Sequence, residues 1–267
     1  MQLQLKLESL PMSDNTPQLS SGYSFGNSMS LGWQILKDNY WALVWLCFAV
    51  MLIMGVGSTI TSFVPFGDAL FAVLVTTPLS VGLGFWVVLA SRGEKPSMNK
   101  LFAVFSDKYV SVVSISFITI LIFYAIFFGV ILVGGLIGGA SFADIYGASE
   151  QAKSGNFDEI ALGAMLVPVI CATIIGALLG LFVYVRLMWA ALIAMDPEEK
   201  ATGIGECIGR CWRMTAQSWF SIFFLLLLLS IIMMLSLLLL CVGYFLLGLP
   251  LYVAASMGAY ILLREGS

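Results

Sequence analysis

Charged residues fall in widely separated clusters along this chain, and the intervals between them set its plan. Residues 41–64, 69–91, 110–138 and 161–185 contain no Asp, Glu, Lys or Arg, and neither does 219–263, an interval of 45 residues. A helix rises about 1.5 Å per residue, so about 20 apolar residues cross the roughly 30 Å hydrocarbon core of a bilayer. The first four intervals therefore predict one span each. The fifth is too long for one helix and predicts two, with a turn near Val242–Gly243. The expected fold class is all-α, a polytopic transmembrane helix bundle of six spans. Residues 1–24 read as a flexible cytoplasmic N-terminus and 25–267 as a single six-span membrane domain.

The entry to each odd-numbered span recurs. The run 33–40, Trp-Gln-Ile-Leu-Lys-Asp-Asn-Tyr, aligns without gaps with 102–109, Phe-Ala-Val-Phe-Ser-Asp-Lys-Tyr, and with 212–219, Trp-Arg-Met-Thr-Ala-Gln-Ser-Trp. Each begins with an aromatic and ends with another at the start of the apolar run, where Tyr and Trp suit a boundary that is wet on one side. The even-numbered spans share a proline (Pro78, Pro168, Pro250) followed by an arginine (Arg92, Arg186, Arg264), at separations of 14, 18 and 14 residues. Together these signatures predict three related hairpins pointing the same way. Arg92, Arg186 and Arg264 are then equivalent and stand at the cytoplasmic interface, residues 187–195 lie beyond the fourth span, and the three prolines kink their spans at similar depths.

A short cytoplasmic amphipathic helix is expected before each hairpin. Ile204, Cys207, Ile208, Cys211, Trp212 and Thr215 fall on one helical face, with Glu206, Arg210 and Arg213 off it. Phe25, Met29, Trp33 and Leu36 form a shorter version. So do Met98, Leu101, Phe102 and Phe105, with Ser97 as the expected N-cap. Such helices suit either the interface plane or the underside of the bundle.

Charge gives the orientation. Of the 12 basic residues, all but Lys153 fall on the side that holds both termini. The positive-inside rule makes that side cytoplasmic, so the expected setting is a bacterial cytoplasmic (inner) membrane, N-in and C-in. The opposite face carries a short turn at 65–68 and a polar loop at 140–159, read as a surface loop or a partner contact. The first 39 residues hold no apolar signal-peptide core, so the first span is expected to act as an uncleaved insertion signal. Hydrophobic residues make up 60% of the chain and charged residues 10%, against about 25% charged in a soluble domain. The bilayer is thus the expected partner, with a membrane-protein partner or a second copy of the chain left open. A net charge of −3 without a basic run argues against nucleic acid.

Candidate chemistry is sparse. With no histidine in the chain, Ser-His and Cys-His nucleophile pairs are impossible. Cys207 and Cys211, four apart on an apolar helical face, read as small core residues, since a zinc site wants more ligands than they supply. No catalytic residue, cofactor or metal site is expected. Gly176 and Gly180 permit close helix approach, within the chain or between chains. The most polar patch inside a span is Thr76, Thr77, Pro78 and Ser80. It reads as a proline kink whose freed carbonyls are satisfied by hydroxyls, or as a broken helix lining a site.

Gly32-Trp33 through Asn39-Tyr40, Pro78-Leu-Ser-Val-Gly-Leu83, Arg92-Gly-Glu94 with Leu101-Phe102, Arg186 followed by Asp196, and Leu249-Pro250-Leu251 with Tyr260 resemble the uncharacterised bacterial YciC-like integral membrane family. They are also similar to the membrane domain of some glycerophosphoryl diester phosphodiesterases. The resemblance spans roughly residues 25–264 and implies six helices without an assigned activity. It departs at Cys211, where a serine is typical, and near Gly180, where a Pro-Gly is missing. The phosphodiesterase catalytic domain uses histidines and is not part of this chain. The expected function is therefore non-enzymatic, in membrane organisation or envelope maintenance. The alternative is a passive channel or lipid/small-molecule transporter built around the kinked spans. A cavity lined by Thr76, Thr77 and Ser80 would favour transport, and a packed core the first reading.

Overall fold

The computed structural model describes residues 23–64, 67–137, 159–199, 203–238 and 243–266. The expected N-terminal tail, nearly all of the loop at 140–159, and Pro65 and Phe66 of the first turn lie outside the described residues. Six helices are long and apolar enough to cross a membrane: Tyr40–Thr61, Gly67–Ser91, Tyr109–Gly134, Ile170–Met195, Trp219–Leu238 and Tyr244–Glu265. The protein is a multi-pass membrane protein, all-helical among the described residues. The long apolar interval divides as expected, between helices that end at Leu238 and resume at Tyr244.

A short helical segment precedes each odd-numbered span: Phe25–Asp38, Met98–Phe102 continuing as Ala103–Asp107, and Ile204–Thr215. Local chemistry starts them. Ser24 Oγ accepts from the Asn27 N–H at 3.2 Å, and the Glu206 carboxylate accepts from the Gly203 N–H at 3.2 Å, each satisfying a backbone donor at a helix N-terminus.

Each segment packs on the even-numbered span of the preceding pair, and the first closes the circle by packing on the sixth span. In all three the contact is made by the residue just before the aligned aromatic. Gly32 meets the Ala255 backbone so closely that a Cβ would collide with it, and the Leu101 carbonyl covers Gly82 in the same manner. Cys211 Sγ donates to the Arg186 carbonyl oxygen at 3.1 Å. The aromatics Trp33, Phe102 and Trp212 are exposed to similar extents, 42, 47 and 40%. This cyclic pattern is the threefold plan expressed as contacts.

The contacts also fix a register that differs from the expected one. Gly82 lies 10 residues before Arg92 and Ala255 lies 9 before Arg264, while Arg186 lies 10 before Asp196. Asp196, not Arg186, is therefore the counterpart of Arg92 and Arg264. Instead of ending near Arg186, the fourth apolar helix runs on to Met195, through a turn at Met188 and Trp189 and the buried helix Ala190–Met195. The proline match changes with it. Pro78 and Pro250 stand 14 residues before their counterparts, but Pro168 stands 28 before Asp196. Five-residue π-turns, Ala72–Thr76 and Tyr244–Gly248, end two residues before Pro78 and Pro250. The helix Glu159–Leu187 passes through Pro168 without one. A proline forces a local rearrangement only where its missing N–H is not otherwise accommodated, so its presence alone is a weak register marker.

Candidate functional site

Residues from all six spans enclose a cavity of about 680 Å³. The sequence-marked polar patch forms part of its wall. Thr76, Thr77 and Ser80 line it, and Pro78 is buried in the same helix without lining it. Ser116 and Thr119 of the third span, Ser230 of the fifth and Ser256 of the sixth add further hydroxyls, and Tyr184, Tyr244 and Tyr252 add phenols. The wall carries no carboxylate, ammonium or guanidinium.

The small hydroxyls share one bonding pattern. Thr77 Oγ1 donates to the Ala72 carbonyl at 2.9 Å, Ser80 Oγ to Thr76 at 2.9 Å, Ser116 Oγ to Val112 at 2.7 Å and Thr119 Oγ1 to Ile115 at 2.9 Å. Ser230 Oγ donates to Leu226 at 2.8 Å and Ser256 Oγ to Val253 at 3.0 Å. Each proton is thus held by a carbonyl of its own helix, which lets a hydroxyl reside in an apolar span and leaves the oxygen's lone pairs as acceptors. The kink at Pro78 is satisfied by a different route. The carbonyl of Leu74, four residues before it, accepts from Tyr109 Oη at 3.0 Å. Tyr109 was expected as an interfacial anchor, and this bond gives its hydroxyl a second role.

One end of the cavity is closed by side chains from three spans. Gly84 of the second lies against Met257 of the sixth and Leu192 of the fourth, with Ser256 and Trp189 beside them in the wall. Trp189 is 1% exposed, and its indole Nε1 is buried with no hydrogen-bond partner. Elsewhere along the wall Ser80 and Ser230 are exposed.

Seven to eight residues beyond Gly84 and Met257 the ends of three spans meet. The Asp196 carboxylate, whose side chain is 0% exposed, accepts from Arg92 Nη2 at 2.7 Å and Arg264 Nη1 at 2.8 Å. It also accepts from Tyr260 Oη at 3.1 Å and from the Glu198 N–H at 3.2 Å. The Glu198 carboxylate reaches both arginines, at 3.3 and 2.9 Å. Two arginines thus face two carboxylates. Burial pushes the Asp196 carboxyl up, but the bonds from Arg92, the Glu198 N–H and Arg264, with the charge of Arg92, outweigh it and hold the group below the usual carboxylate range.

Arg186 takes no part in that cluster. Its guanidinium lies 5.1 Å from the Phe182 ring and 4.5 Å from the Trp212 ring. It makes long bonds, of 3.3 and 3.4 Å, to the carbonyls of Trp212 and Ala216. Those carbonyls close the helix Ile204–Thr215, so the cation caps the negative end of a helix dipole and stacks on aromatic faces. The sequence therefore joins three arginines of which the structure brings together two.

Cys207 and Cys211 are buried, and burial foremost pushes both thiols up, that of Cys211 to about 12. They pack as small apolar groups. Among the described residues no group of three or more His, Cys, Asp or Glu gathers to hold a metal. Gly176 and Gly180 face Phe127 and Phe123 of the third span, so their close approach is used within the chain.

Sequence reasoning missed Asp196 and Trp189 as site residues. An aspartate at the end of a long apolar run, opposite two arginines at the ends of related runs, was the available signal for the first. Nothing local marks the second. No protein-family model, curated protein or solved structure matches the chain.

Proposed function

We propose that this protein is a non-enzymatic inner-membrane protein of bacteria that admits a lipid or other uncharged small molecule to its interspan cavity and passes it passively. This is the transport reading rather than the purely organising one. The observation that carries it is the cavity itself. A volume of about 680 Å³ is within the roughly 300–1,000 Å³ range of ligand sites, and a protein serving only as a scaffold has no use for an unfilled, hydroxyl-lined interior. The uncharged wall favours passive movement, because ion-coupled carriers place ionisable groups at such positions.

In this reading the six spans form three like-directed hairpins, each with its short helix on the cytoplasmic side and Arg92, Arg186 and Arg264 toward the cytoplasmic interface. Both termini face the cytoplasm. The cyclic packing of the short segments and the resemblance to the YciC-like family support the plan, and the distribution of Lys and Arg supports the orientation. The Asp196 cluster ties the cytoplasmic ends of the three even-numbered spans together and closes that end.

Transbilayer equilibration of a fluorescent uncharged lipid in proteoliposomes tests the function. The native chain is expected to accelerate it. Ser80→Trp and Thr119→Trp, which fill the cavity from opposite walls, are expected to abolish the acceleration. Equal rates in protein-containing and protein-free vesicles would overturn the proposal.

A further inference from the structure

Resting on the reading of the cavity as an occupied site, we infer that its occupant is a single-chain uncharged amphipath whose head carries a hydrogen-bond acceptor and enters first, seating on Trp189 Nε1 at the closed end. Three observations lead there.

The first is the unpaired donor. An indole N–H is a donor only, and burying one without a partner costs stability. Trp189 is held in place by the fourth-span turn and by packing 6.2 Å from the Tyr260 ring, so it cannot swing away to find water. The neighbouring hydroxyl of Ser256 does not relieve it, since its own proton is held by Val253. A carbonyl, ester or hydroxyl oxygen on the occupant supplies the missing acceptor.

The second is the absence of counter-charge. The closed end is built of Gly84, Leu192, Ser256, Met257 and Trp189. The nearest guanidinium groups along these helices, those of Arg92 and Arg264, are already matched by Asp196 and Glu198. A phosphate or carboxylate head at the closed end would be a buried, unmatched charge, which is far costlier than a buried polar group.

The third is size. At about 30 Å³ for each water-sized group, a cavity of about 680 Å³ takes roughly twenty such groups. That suits one hydrocarbon chain with a small head, and a two-chain phospholipid is far larger. The apolar part of the wall, Val50, Met51, Met54, Ile120, Met233 and Val253, suits the chain.

Binding of matched probes to the full chain in detergent, read by native mass spectrometry, tests the inference. The probes are monooleoylglycerol, oleoyl-lysophosphatidylglycerol, which has the same chain and an anionic head, and octadecane, which has a chain alone. Monooleoylglycerol is expected to bind at a single site and more than about tenfold tighter than the anionic probe, the difference being the unmatched charge. Trp189→Phe keeps the ring and deletes the donor. It is expected to weaken monooleoylglycerol about fivefold, the scale of one hydrogen bond, and to leave octadecane unchanged. Ser80→Trp is expected to remove binding of all three. Equal binding of the two oleoyl probes, or a Trp189→Phe protein that binds monooleoylglycerol like the native one, would overturn the inference. If Trp189→Phe fails to fold, the comparison of probes on the native chain decides alone. Lipid equilibration that Ser80→Trp still blocks would then show the transport reading standing without this occupant. Loss of both probe binding and equilibration would remove the two together.

Discussion

Asp196 carries more partners than any other buried polar group described, and its substitution has a calculable consequence. Its carboxylate is inaccessible and holds Arg92 and Arg264, which are themselves largely covered. Removing one member of a buried ionic group leaves the others unmatched, which typically costs about 3–5 kcal/mol. Asp196→Asn should therefore lower the unfolding midpoint in detergent strongly, while Glu198→Gln, more than half exposed, should cost much less. The pH dependence has a definite sign. The folded-state value is lowered relative to an unfolded value near 4. The contribution of Asp196 is thus complete above about pH 4 and is lost as pH falls through the lowered value. A melting series from pH 7 to pH 3 checks this, and a native-to-Asn difference unchanged down to pH 3 would contradict it. The polar patch at Thr76, Thr77 and Ser80 was legible in the sequence because hydroxyls stand out in an apolar run. Asp196 was harder to see. Arg186 offered the same residue type as Arg92 and Arg264, and likeness of type outweighed the possibility that complementary charges occupy equivalent positions.

Short helices and spans meet through small residues, and the tightest meeting is testable. A Cβ on Gly32 would collide with the Ala255 backbone, which cannot move aside as a side-chain tip can. Gly32→Val should destabilise the protein by about 2–3 kcal/mol through overpacking. Gly55, with nothing within 4 Å of its Cβ position, is the control. Gly55→Ala should be neutral or slightly stabilising, because alanine is the better helix former. Equal effects at the two positions would show that the packing of the first short helix on the sixth span is not what holds them. The existence and number of the spans were legible because a charge-free run of sufficient length has few alternatives in a bilayer. The register of the middle copy was not. Its proline lies inside an unbroken helix, and its true match with the other two copies appears only in the contacts of Leu101, Cys211 and Gly32.

The whole molecule joins a threefold arrangement of short segments and spans to a cavity that all six spans line. Its orientation makes a separate prediction. In a variant stripped of native cysteines, a thiol placed at Lys95 should resist a membrane-impermeant reagent applied to intact cells and react once the membrane is opened. Labelling from outside would reverse the assignment of both termini. The claim on which the account turns is that the cavity exists to be occupied. The most direct measurement is an electron cryomicroscopy structure of the full chain in lipid nanodiscs. The account predicts elongated non-protein density between Thr76 and Trp189, with a polar end within hydrogen-bonding distance of Trp189 Nε1. Met51, Met54, Met233 and Met257 folded inward to fill the space, with no such density, would contradict it.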